Sequence, residues 1–186
     1  MFNKKSVLKM KFIQVISSNF SKKQRKLVKI KFIVLHYTGM QSKRVSIDRL
    51  KDKKHKVSCH YVIDRKGHTI QMVEDKNIAW HAGKSKWKNY RNLNENSIGI
   101  ELINKGHQYG YEKFSKKQIF KLIKLCLHLK KKYRIKKSNF IGHSDIAPLR
   151  KKDPGEKFPW FKLSTKGIGT WYHSSKIGKK NLTKKK

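Results

Sequence analysis

The run Phe32-Ile33-Val34-Leu35 is apolar at every position and then stops abruptly at His36. A stretch with no polar face reads as a strand covered on both sides, which puts the His36 imidazole at the strand's C-terminal end. In α/β sheets that edge is where sites form. A second run, Ile98-Gly99-Ile100-Glu101-Leu102-Ile103, is also strand-like but contains a carboxylate. Glu101 is out of place there unless it faces a cavity or a partner; the alternative is an edge strand whose carboxylate faces water. Between the two runs, Cys59 to Asp64 turns at Arg65-Lys66-Gly67 into His68 to Val73, the pattern of a hairpin.

The clearest helix begins at Ser115. Ser115 is placed to cap it, Gln118 to complete a capping box, and Phe114 with Ile119 to form a hydrophobic staple. Ile119, Leu122, Ile123, Cys126, Leu127 and Leu129 supply an apolar face, and Lys130, Lys131, Lys132 and Arg134 gather at the C-terminal end, where the helix dipole favours cations. A shorter helix with Val45, Ile47 and Leu50 is expected between Gln41 and Val57. This order of strands and helices predicts an α/β fold, a single domain with a mixed central β-sheet and helices packed on its faces. A chain of 186 residues suits one such domain.

His143 follows another short apolar piece, Asn139-Phe140-Ile141-Gly142, and opens a stretch punctuated by Pro148 and Pro154. Neither a continuous helix nor a central strand can hold those prolines, so a loop is expected that brings Asp153 back toward His143. His36, His143 and Asp153 are two histidines and a carboxylate. That is the ligand count of a catalytic zinc site, which takes three protein ligands and leaves the fourth position for water. Taken singly, each histidine reads as a hydrogen-bonded core residue; the combination points to an enzyme. Cys59 and Cys126 are far apart with no Cys-x-x-Cys, so neither a zinc finger nor a disulfide framework is indicated.

Six pieces occur in order: Val34-Leu35-His36-Tyr37-Thr38, Ser58-Cys59-His60-Tyr61-Val62-Ile63-Asp64, Trp80-His81-Ala82-Gly83, Ser97-Ile98-Gly99-Ile100-Glu101-Leu102, Gly142-His143-Ser144-Asp145-Ile146-Ala147-Pro148 and Lys151-Lys152-Asp153-Pro154-Gly155. Together they resemble the zinc-dependent N-acetylmuramoyl-L-alanine amidases, peptidoglycan amidases whose fold is shared with T7-type lysozymes and peptidoglycan-recognition proteins. The resemblance implies one Zn2+ held by His36, His143 and Asp153, with Glu101 as general base. It also implies a cation at Lys151, facing the metal centre, that stabilises the oxyanion; only the Lys-x-Asp spacing favours it over its neighbour Lys152. Burial would raise the Glu101 pKa and a nearby zinc would lower it. His81 matches a segment lining the cleft, as a substrate contact, a support behind the ligands or a histidine structuring a turn, while His60 is assigned to packing. Trp87 and Tyr90, in the polar loop Lys84 to Asn96, either border the groove or anchor the loop. Cys59 stands where lysozyme-type members carry a catalytic tyrosine, which places the chain in the branch that uses the glutamate.

The formal net charge of +37 implies nonspecific attraction to polyanions that weakens as salt rises. Of the 48 basic residues only seven are Arg, and no nucleic-acid motif appears, so no specific nucleic-acid partner is expected. The expected partner is peptidoglycan or a muropeptide, bound by a monomer. Residues 1–27 read as a basic, poorly patterned leader, 28–172 as the catalytic domain and 173–186 as a disordered lysine-rich tail. Phe12-Ile13-Gln14-Val15-Ile16 is too short and interrupted for a signal-peptide core or membrane span, so the expected location is cytoplasmic, the alternative being periplasmic or wall-associated by another route.

Overall fold

The computed structural model describes residues 10–171. In chain order, β1 (Ile13–Gln14) and β2 (Phe20–Ser21) precede β3 (Phe32–Tyr37) and helix α1 (Lys43–Lys51). Next come β4 (Tyr61–Ile63), β5 (Thr69–Gln71), β6 (Ile78–Ala79), β7 (Lys86–Trp87), β8 (Tyr90–Arg91) and β9 (Ser97–Leu102). The long helix α2 (Lys116–Tyr133) is followed by β10 (Phe140–Gly142), the single-turn α3 (His143–Ile146) and α4 (Trp160–Ser164). The main sheet has the order β1-β5-β4-β9-β3-β10. All its pairings are parallel except the β4–β5 hairpin, so the expected mixed sheet is present.

Alternation sorts the central strands cleanly. Ile33, Leu35, Ile98, Ile100 and Leu102 pack with Ile119, Leu122, Leu125, Cys126 and Leu129 of α2. Phe32 and Val34 point to the other face, against Ala82, Leu93, Ile141 and Ile146. A third cluster sets Leu50 of α1 against Cys59, Val62, Ile70 and Met72. With both faces covered, the central strands carry apolar residues at nearly every position, which is why they were legible as buried strands. Among the described residues no helix is long and apolar enough to cross a membrane.

Three expectations need correction. The α2 face uses Leu125, which is fully buried, whereas Leu127, two residues on and turned to the far side, is 41% exposed. Ser115 does cap α2, accepting from the Gln118 N–H at 3.1 Å. The reciprocal half of the capping box is replaced: the Gln118 side chain donates to the carbonyls of Ile63 and Ile103 at 2.9 and 3.1 Å, tying helix to sheet. Where a buried amide can satisfy two strand-end carbonyls, that demand outweighs a local cap.

The described part of the supposed leader belongs to the fold. β1 adds to the sheet edge alongside β5, and β2 pairs with β6. Ser17, Asn19 and Arg25 are buried. Asn19 donates to the carbonyls of Asp52 and Val57, and Arg25 donates to those of Asp75 and Ser97. This segment is held by edge pairing, polar side chains and a few partly buried apolar residues, Met10, Phe12 and Val15, which do not form a continuous period that sequence patterning would detect. Residues 1–9 of the leader and the 173–186 tail lie outside the described residues.

Leu125→Ala is expected to cost about 2–5 kcal/mol of stability, and Leu127→Ala no more than about 0.5 kcal/mol. Guanidinium unfolding of the two variants checks the assignment of the buried face.

Candidate metal centre and cleft

The parallel register brings His36 of β3 opposite Glu101 of β9, on the face away from α2. β10 lies on the other side of β3 with Gly142 opposite Leu35, so His143, the next residue, emerges beside His36. The chain then makes the single turn of α3, stabilised by the Gly142 N–H donating to Asp145 Oδ2 at 2.7 Å. It returns so that the Ser144 N–H donates to the Asp153 carbonyl at 2.8 Å. The Asp153–Pro154 peptide bond is cis.

His36 Nδ1, His143 Nδ1 and Asp153 Oδ2 form a triangle with sides of 2.9, 2.9 and 3.0 Å. Each imidazole is fixed from behind. His143 Nε2 donates to the Ala82 carbonyl at 3.1 Å, which leaves its Nδ1 lone pair facing the triangle. His36 Nε2 lies 3.1 Å from His81 Nδ1, and His81 Nε2 lies 3.2 Å from Ser97 Oγ. The Ser97 hydroxyl donates to the Leu93 carbonyl, so its oxygen accepts from His81 Nε2–H. His81 Nδ1 is then an acceptor for His36 Nε2–H, and His36 Nδ1 is also a bare lone pair. Three lone pairs converging on one point repel one another unless a cation sits among them, and two histidines with one carboxylate suit a zinc-type ion.

The electrostatics agree. Burial, with the neighbouring His143, lowers the His36 pKa to about 4, and burial holds that of His81 well below its usual value. Both are therefore neutral at ordinary pH, the state in which imidazole ligates metals. Glu101 is pushed up to about 8, chiefly by burial and then by the Asp153 charge, with Lys151 pulling it down. Its Oε2 is buried without a hydrogen-bond partner.

These groups open into a cleft of about 950 Å³ lined by His81, Glu101, His143, Lys151 and Asp153, with Tyr37 and His107 on one wall. Lys151 is half-buried and acts electrostatically on both His36 and Glu101, whereas Lys152 is exposed. His81 was expected as a substrate contact or a support. With 5% of its surface exposed and both nitrogens engaged by His36 and Ser97, it is a support. His60 is fully buried and accepts from the Gly99 N–H at 3.0 Å, a packing role. Trp87 and Tyr90 form the β7–β8 ribbon; Trp87 packs on the core and Tyr90 meets Phe32 edge-on at 4.9 Å, so they anchor the loop.

Three contributors were not singled out from sequence. An ideal Cβ on Gly99 would lie 2.4 Å from the His81 ring, so only glycine lets that imidazole lie across β9. A glycine inside a strand pattern is the available signal for such an approach. Ser97 orients His81, and Arg150 clamps the turn after it, donating to the carbonyls of Ala82 and Lys84 at 2.5 and 2.6 Å. Neither carried a local signal.

His81→Phe is expected to weaken metal binding about 10- to 100-fold, as loss of a group orienting a ligand does; chelator competition measures it. A second outcome concerns the metal-free protein. The folded pKa of Glu101, about 8, lies above its ordinary 4.5. The unfolded chain therefore releases this proton first, and the group's contribution to stability falls as pH rises from about 4.5 to about 8. Glu101→Gln should remove that decline, so its stability relative to wild type rises across the window in urea unfolding. Parallel curves would show Glu101 ionising normally.

Comparison with known proteins gives a consistent answer. The family profile described as N-acetylmuramoyl-L-alanine amidase (Amidase_2) matches residues 26–156. The chain is 39% identical over 161 residues to the N-acetylmuramoyl-L-alanine amidase AmiD of Escherichia coli, covering 80% of this chain and 57% of that protein. It is 40% identical over 106 residues to the 1,6-anhydro-N-acetylmuramyl-L-alanine amidase AmpD of Haemophilus influenzae, covering 56% and 55%. The chain thus spans little more than half the length of these curated relatives. The solved complex of E. coli AmiD with the substrate anhydro-N-acetylmuramic acid-L-Ala-D-gamma-Glu-L-Lys superposes with a TM-score of 0.73 at 37% identity, covering 84% of this chain and 64% of that one.

Proposed function

The chain belongs to the N-acetylmuramoyl-L-alanine amidase family, and from that premise we propose that it hydrolyses the amide between the lactyl group of N-acetylmuramic acid and the L-alanine of the stem peptide, using one zinc ion. The observation that carries the reading is the triangle of His36, His143 and Asp153 with the unpartnered carboxylate of Glu101 in the same cleft. Relatives named for 1,6-anhydro-N-acetylmuramyl-L-alanine, and the AmiD complex, favour muropeptides released in wall turnover and recycling as the substrate.

His36, His143 and Asp153 would hold the zinc, which when bound would supply a Lewis acid able to acidify water and polarise the scissile carbonyl. Glu101, which lines the cleft and whose Oε2 has no hydrogen-bond partner, accepts the proton of the attacking water and returns it to the departing amine. The Lys151 ammonium stabilises the oxyanion, a contribution on the order of 3 kcal/mol for one donor. His81 and Ser97 hold the His36 imidazole in the one tautomer that can ligate.

Incubation of a defined N-acetylmuramyl peptide with the protein, followed by mass spectrometry, tests this. A peptide with a free L-alanine amino terminus should appear, vanish with chelator and return with zinc. Glu101→Gln should keep zinc affinity and lower turnover at least about a hundredfold. Intact substrate beside one bound zinc per chain would instead mark a noncatalytic recognition module.

A further inference from the structure

A second set of titratable side chains reaches the cleft wall through Tyr37 and His107, outside the metal triangle. The Tyr37 hydroxyl lies 2.8 Å from His107 Nδ1, and His107 Nε2 lies 2.9 Å from Glu156 Oε2. The His107 ring stacks on Tyr111 with centroids 4.5 Å apart and planes at 29°, while Tyr37 and Tyr111 meet at 5.5 Å. The Tyr111 hydroxyl donates to the Pro154 carbonyl at 2.6 Å, which locks the cluster onto the loop that carries Asp153. The backbone makes room for it. Gly106 has φ +69°, and a Cβ there would lie 2.6 Å from the Tyr37 ring.

The order of protons in this chain is determined by its ends. A glutamate carboxylate only accepts, so His107 Nε2 carries the hydrogen and donates to Glu156. In the neutral imidazole His107 Nδ1 is then a bare lone pair, and the Tyr37 O–H donates to it. With its only hydrogen committed, the Tyr37 oxygen can meet a ligand solely as an acceptor. Tyr37 and His107 both line the cleft that contains Glu101 and Asp153.

We infer that Tyr37, held by His107 and Glu156, is a specificity-determining acceptor for an amide N–H of the muropeptide. It selects an N–H donor and rejects a carbonyl or carboxylate at the same place, because two acceptors facing each other leave both unpaired. His107 and Glu156 are positioning residues that act through Tyr37. The inference rests on the muropeptide reading above, and an amide N–H is available from two parts of such a ligand: the stem peptide and the sugar's acetamido group.

The test is calorimetric binding of anhydro-N-acetylmuramic acid-L-Ala-D-gamma-Glu-L-Lys to the zinc-loaded protein in the Glu101→Gln background, so that no hydrolysis intervenes. Tyr37→Phe keeps the ring and removes the acceptor, and should weaken binding about three- to tenfold, the measure of one neutral hydrogen bond. His107→Leu should weaken it similarly. The double variant should be no weaker than Tyr37→Phe alone, because the two act as one unit. Repeating the titration with anhydro-N-acetylmuramyl-L-Ala identifies the donor: a loss that disappears with this ligand places the N–H in the missing stem, and a loss that persists places it in the part retained. Unchanged affinity in Tyr37→Phe, additive losses in the double variant, or zinc lost in step with ligand would overturn the inference. Because binding is read directly, wild-type protein that binds the muropeptide without hydrolysing it would refute the amidase reading while leaving this one standing.

Discussion

Everything at the functional end of this molecule depends on the parallel pairing of β3 with β9 on one side and β10 on the other. Side chains alternate with a period of two, so a slip of one residue in either pairing would send His36 or Glu101 to the face covered by α2. The register that buries Ile33, Leu35, Ile98 and Ile100 under α2 is therefore the same register that brings His36 opposite Glu101 and delivers His143 beside it. Hydrophobic burial, not any attraction among the polar groups, aligns the site.

Below the metal triangle the fold keeps a layer of buried polar groups, and each must find a partner at close range. The series His36, His81, Ser97 and the Leu93 carbonyl satisfies this with one proton order, and that order is the one that bares His36 Nδ1. Arg25 lies behind this layer, its guanidinium donating to the Ser97 carbonyl and standing 2.8 Å from His60 Nε2. A buried cation there disfavours any proton arriving on His60 or His81, so the segment before β3 contributes to keeping the ligand shell neutral. Glu101 differs from its neighbours in having a carboxylate oxygen with nothing to accept from, which is why burial dominates its proton affinity.

Legibility followed the kind of interaction each element uses. β3, β9 and α2 advertise themselves because they are held by apolar packing, which leaves a periodic trace in sequence. β1, β2 and the β7–β8 ribbon are two-residue strands held by backbone edges with isolated side-chain contacts, too short to show a period, so the segment from Ile13 to Arg25 read as a leader and Lys86 to Arg91 as loop. Within α2 the helix was evident but Leu125 and Leu127 were exchanged, since a lysine-rich helix with leucines on several sides does not announce which leucine meets the sheet.

The same division holds for the site. Sequence by itself determined the residue types and their order: two histidines and a glutamate in or just after strands and an aspartate in a proline-punctuated loop, with a lysine two positions before the aspartate, which is enough to name the chemistry. Only the tertiary structure decided which nitrogen of each histidine faces inward, that Lys151 is the half-buried lysine acting on His36 and Glu101 while Lys152 at the same cleft is exposed, that His81 stands behind a ligand, and that Tyr37 and His107 share one wall with Glu156 behind them. The physical reason is that identity and spacing are properties of the chain, whereas a proton's position and a side chain's partner are settled by groups that meet only after residues more than a hundred positions apart have been packed together.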